Sequence, residues 1–88
     1  MLYQFANAKL AVEIQNKNQW TELKKYCASN SIGLVSYGEK NFSFPVFCLI
    51  VGVQATERTL LCPTQDSTEE LTKRGYESIT FKKFKNLA

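Results

Sequence analysis

Histidine is absent from the 88 residues. Its absence removes the usual general base near neutral pH and the commonest zinc ligand, which excludes imidazole-based triads and the HExxH zinc motif. The four glycines are scattered, so neither a P-loop nor a dinucleotide-binding fingerprint forms. Repeats, low-complexity tracts and linkers are missing. The longest apolar run, 44–53, is about half the length that spans a bilayer. The first residues lack the basic and apolar regions of a signal peptide, so a cytoplasmic protein with no membrane partner is expected, its thiols reduced. There are three cysteines, Cys27, Cys48 and Cys62, and none belongs to a CxxC pair. They fall short of a four-ligand zinc set, and free cysteine packs as a small hydrophobe. Core packing is therefore their expected role, with no metal and no cofactor.

What is present describes an ordinary globular chain: 44% hydrophobic and 22% charged residues, read as a single domain over 1–88. Net charge is +3, from 11 basic and 8 acidic side chains. Lys82, Lys83 and Lys85 lie in the last ten residues with no acid among them, and the other eight basic groups balance the eight acids. The excess positive charge is a C-terminal feature.

Hydrophobic periodicity gives the elements. Leu10, Val12 and Ile14 alternate with Lys9, Ala11, Glu13 and Gln15, which predicts a strand with one buried face. Residues 2–5 can add a short strand or a packed arm. Asn18 is a candidate N-cap for a helix over about 19–30, with Trp20, Leu23 and Cys27 on its buried side. Strands are expected at 34–37, 46–53 and 58–63. Ser67-Thr-Glu-Glu70 matches a capping box opening a short helix, about 68–74, with Gly75 at its left-handed C-terminal position. Alternation of Ile79 and Phe81 with Thr80 and Lys82 predicts a last strand, 78–84. The expected class is α+β, a small and mostly antiparallel sheet of four or five strands in the order β-α-β-β-β-α-β.

Two registers are open for the central hairpin. Pairs summing to 110 put Cys48 opposite Cys62, and pairs summing to 111 send the two thiols to opposite faces. Strand 46–53 is apolar on both faces, so both should be covered. The main helix covers one. The N-terminal arm or another subunit is expected on the second, which makes a homodimer an expectation.

Each candidate site has a structural counterpart. The acids Asp66, Glu69 and Glu70 sit where helix capping accounts for them. Ser31, Ser36 and Ser43 have no GxSxG context and no histidine base. Neither set supplies a catalytic residue, and the chain is not expected to be an enzyme. Phe81-Lys-Lys-Phe-Lys85 reads either as a nucleic-acid contact, with lysines on phosphates and Phe84 on a base, or as an edge strand guarded by lysines. Tyr3, Phe5, Tyr37, Phe42, Phe44 and Tyr76 exceed what one small core needs, and aromatics at loop edges serve as interface anchors.

The helix Trp20-Thr-Glu-Leu-Lys-Lys-Tyr-Cys-Ala28 and the pattern GYxxIxFxxF over 75–84 resemble small α/β proteins encoded by bacteriophages. The resemblance covers about half the chain, and its motifs mark structure. It implies an accessory role: binding a host protein, including components of defence systems, in the host cytoplasm to inhibit or redirect it. Tyr37, Phe42 and Phe44 are the expected protein-binding residues, with Lys82, Lys83 and Lys85 as a steering basic patch. The alternatives are a small nucleic-acid-binding module built on the basic C-terminal segment, and an oligomeric sponge for a small nucleotide.

Overall fold

The alternation at the start of the chain produces β1, Leu10–Ile14. Leu10, Val12 and Ile14 point into the main core, and Ala11 is buried on the other side. The computed structural model describes residues 8–53, 55–56 and 58–87. The arm expected at 2–5 lies outside these, together with Tyr3 and Phe5.

Helix α1 spans Lys17–Ser29. Its N-cap is Asn16, whose side chain accepts from the Gln19 backbone N–H at 2.9 Å, so the helix starts two residues before the position expected from Asn18. Trp20, Leu23 and Cys27 are buried, as their spacing requires. The helix ends with Ser31 at φ 57° and the Ile32 N–H donating to the Cys27 carbonyl at 3.0 Å. Strand β2 is only Gly33–Leu34. The chain then turns through one 3-10 turn, Glu39–Asn41, into the hairpin β3 (Val46–Val53) and β4 (Arg58–Thr64).

Helix α2, Thr68–Lys73, carries the expected capping box between Ser67 and Glu70. Gly75 takes φ 86°, and the Tyr76 N–H reaches back to the Leu71 carbonyl at 2.9 Å. A Ser67→Ala substitution removes the cap and should cost about 1 kcal/mol. The loss would read as a lowered urea midpoint with an unchanged slope.

The last segment departs from the expected strand 78–84. Strand β5 covers Glu77–Thr80, and the chain continues directly into helix α3, Phe81–Leu87. The Thr80 hydroxyl accepts the Lys83 backbone N–H at 3.1 Å and so caps the new helix. Phe81 and Phe84 stand one turn apart on the buried side of α3. The alternation of Ile79 with Phe81 was a coincidence of two periods meeting at Thr80.

The result is an α+β fold on one five-stranded sheet, ordered β2-β4-β3-β1-β5. The β1/β3 and β3/β4 pairings are antiparallel and carry most of the ladder. The β1/β5 and β2/β4 pairings are parallel, so the sheet is mixed. Helices α1 and α3 pack on one face and enclose the main core with Cys48, Ile50, Leu61 and Ile79. The opposite face holds a smaller cluster in which Leu71 of α2 covers Ala11 and Phe47. Farther along that face Val51 and Val53 remain 37% and 38% exposed.

The hairpin takes the register that sums to 111, with Leu49 opposite Cys62 and Cys48 opposite Pro63. Cys48 therefore faces the main core and Cys62 the outer face.

Candidate functional site

The positions of the aromatics separate by side-chain cover. Tyr37, at the tip of the turn before Gly38, is 94% exposed. Phe42 and Phe44 are half-buried and pack on the rim of the main core. They form the base of an open cleft between the start of α1 and the 39–44 segment. Lys17, Trp20, Thr21 and Lys24 lie at helical spacing on one wall, with Glu39 and Lys40 on the other, and the cleft volume is about 390 Å³. A shallower depression lined by residues 36–41 shares Glu39 and Lys40, so the Tyr37 surface is continuous with the cleft.

The loop is held in place by several bonds. Gly38 adopts φ 77°, which glycine tolerates without strain, and opens the 3-10 turn. The buried indole of Trp20 donates to the Glu39 carboxylate at 2.8 Å. Lys24 reaches both oxygens of the same carboxylate, at 3.1 and 3.3 Å. The Phe42 ring meets Trp20 edge-on, 5.1 Å between centroids. On the far side, the Ser43 N–H donates to the Gln65 side chain at 3.2 Å. These contacts fix the turn that presents Tyr37.

The Trp20 hydrogen bond, followed by that of Lys24, holds the Glu39 carboxyl below its ordinary value of 4.5. A depressed folded pKa means that the interaction is present above the unfolded value and lost as pH falls through the folded one. Trp20 is the only tryptophan, so its fluorescence reports this bond locally. We expect an emission change below pH 4.5 that Glu39→Gln abolishes, because glutamine still accepts from the indole but does not titrate.

The basic residues Lys82, Lys83 and Lys85 fan over the solvent side of α3, and none lines the cleft. Phe84 is fully buried and meets Tyr26, on the later half of α1, edge-on at 5.7 Å. It therefore offers no surface for stacking a base, and the lysines do not guard a strand edge. Lys85 sits over the Phe81 ring at 4.6 Å.

The remaining candidates resolve simply. Asp66 pairs with Arg74, and Glu70 completes the α2 capping box. Tyr76 packs beside Leu71. Among the described residues no group of three His, Cys, Asp or Glu side chains stands close enough to hold a metal. Cys27 and Cys48 are buried thiols of the main core.

Sequence reasoning assigned Trp20 to the core, weighed Lys24 only as an extension of the C-terminal basic patch, and overlooked Lys17, Thr21, Glu39 and Lys40. A usable signal existed. Glu39 is the only acid between Glu22 and Glu57, and a buried indole N–H needs an acceptor.

No protein-family model, curated protein or solved structure matches the chain.

Proposed function

We propose that the chain is a non-enzymatic binding protein that engages another protein through the 36–44 loop and the first turns of α1. The bacteriophage resemblance makes a host protein the expected partner and inhibition or redirection its mode of action. The observation that carries the reading is Tyr37: a large aromatic side chain 94% exposed, on a turn braced by the Trp20, Glu39 and Lys24 contacts. Exposing an aromatic ring to water has no benefit to folding, whereas a preorganised aromatic is what a binding hot spot requires. Phe42 and Phe44 extend the same apolar surface into the cleft.

The test is affinity capture from host lysate with the wild-type chain and three variants. Tyr37→Ala and Phe44→Ala should each weaken capture of a stoichiometric partner by about 2 kcal/mol, roughly thirtyfold. Replacing Lys82, Lys83 and Lys85 together with alanine should slow association and flatten its salt dependence, with a smaller effect on dissociation. Capture that is indifferent to both aromatic substitutions would reject the reading.

A further inference from the structure

Resting on the binding reading above, we propose that the partner inserts an acidic segment carrying one apolar anchor into the Trp20–Phe44 cleft. The cleft presents positive charge beside open apolar surface. Glu39 is occupied by Trp20 and Lys24, so it neutralises Lys24 and braces the wall. Among the described residues Lys17 on the helix wall and Lys40 on the loop wall form no close ion pair, and Lys40 acts on Glu39 only as a weaker neighbouring charge than Lys24. Phe42 and Phe44 leave part of their rings open between them. The complementary ligand is therefore an apolar group flanked by negative charge.

A volume of about 390 Å³ accommodates a side chain or two rather than a long polymer track. Planar, bidentate phosphate recognition draws on arginine forks, while lysine binds phosphate as a point charge. The chain has two arginines, Arg58 and Arg74, and neither lines the cleft. Lysines are flexible point charges that attract a carboxylate without the planar match an arginine gives a phosphate. The surface continues past Lys40 to Tyr37, which gives an acidic segment a second contact.

The experiment titrates the full chain, read by Trp20 fluorescence, with four probes. These are a capped peptide of one phenylalanine flanked by two aspartates on each side, its lysine-flanked counterpart, the acidic peptide with alanine for phenylalanine, and ATP. Saturable binding is expected for the acidic phenylalanine peptide, with a Kd of roughly 0.1–1 mM for so short a ligand. The alanine and lysine peptides should bind about tenfold more weakly or worse. The Lys17→Glu, Lys40→Glu double variant should lose the acidic peptide and gain the lysine-flanked one. Glutamate at position 17 suits the first turn of α1, so the fold should tolerate the change. Equal binding of both charge types, tighter binding of ATP, absence of any binding, or indifference to the double reversal would each overturn the inference. If the peptides fail while Tyr37→Ala still abolishes capture from lysate, the partner chemistry is wrong and the binding reading stands. If capture ignores Tyr37 and Phe44, the binding reading itself falls.

Discussion

Replacing Phe84 with alanine is expected to destabilise the chain by about 3–5 kcal/mol, seen as a much lower urea midpoint. The ring is fully buried, sits edge-on to Tyr26, and joins the core formed by β1, β3 and α1. Helix α3 has seven residues and docks chiefly through Phe81 and Phe84. A helix so short has almost no stability of its own, so losing one of two anchors should undock it. A domain of this size is stabilised by only about 5–10 kcal/mol, which makes the loss a large fraction of the total. Urea denaturation followed through Trp20 would show it. The triple alanine substitution at Lys82, Lys83 and Lys85 provides the contrast, since each surface change should alter stability by less than about 0.5 kcal/mol. A Phe84→Ala chain as stable as wild type would mean that α3 is not part of the core.

The same segment shows where sequence reasoning succeeds and where it stops. β1 was legible because Leu10, Val12 and Ile14 alternate with smaller or polar residues, although the second face is covered too, with Ala11 buried and Glu13 half-buried. The buried stripe of α1 was legible for the same reason, as was α2, whose cap is a local hydrogen-bonding event between Ser67 and Glu70. β5 was mistaken for a longer strand because Ile79 and Phe81 fit period two by chance. Phe81, Phe84 and Leu87 recur at three-residue spacing, and Thr80 stands just before them as a cap. Those two signals together identify a helix. β2 was overestimated because Val35 and Tyr37 resemble strand residues, yet both are exposed and beyond the two-residue ladder. The parallel partners of β1 and β4 depend on the path of the whole chain, which no local pattern encodes. The cleft was hidden for a similar reason. Its walls are joined by side-chain bonds that Lys24 and Trp20 donate to Glu39, 15 and 19 residues away in sequence.

Thiol labelling should divide the three cysteines into two classes, with Cys62 fast and the buried Cys27 and Cys48 slower by orders of magnitude. The register makes this prediction possible, because it sends Cys62 to the outer face and Cys48 into the main core. Burial pushes the Cys48 thiol up to about 12 and the Cys27 thiol up to about 11, from an ordinary 9.0. Cys62 is raised too, by burial, but it remains partly exposed. The thiolate is the reacting species, and a rise of three units cuts its population about a thousandfold before steric cover is counted. A disulfide-exchange reagent at pH 8 should therefore modify Cys62 first. Cys27 and Cys48 should react only as the chain opens, at a rate that rises with urea in step with global unfolding. Mass spectrometry of the partly labelled chain assigns the order. The same shifts set a pH limit with a definite sign. Both buried thiols have folded pKa values above the unfolded one, so their contribution to stability is complete below pH 9 and declines as pH rises toward 11 and 12. Rapid labelling of Cys48 in the native state would place that side chain on the solvent side of the sheet. It would demand the other hairpin register, in which Cys48 lies opposite Cys62 and every side chain of one strand changes face. Slow labelling of Cys48 beside fast labelling of Cys62 is incompatible with that register, so one experiment distinguishes the two sheets.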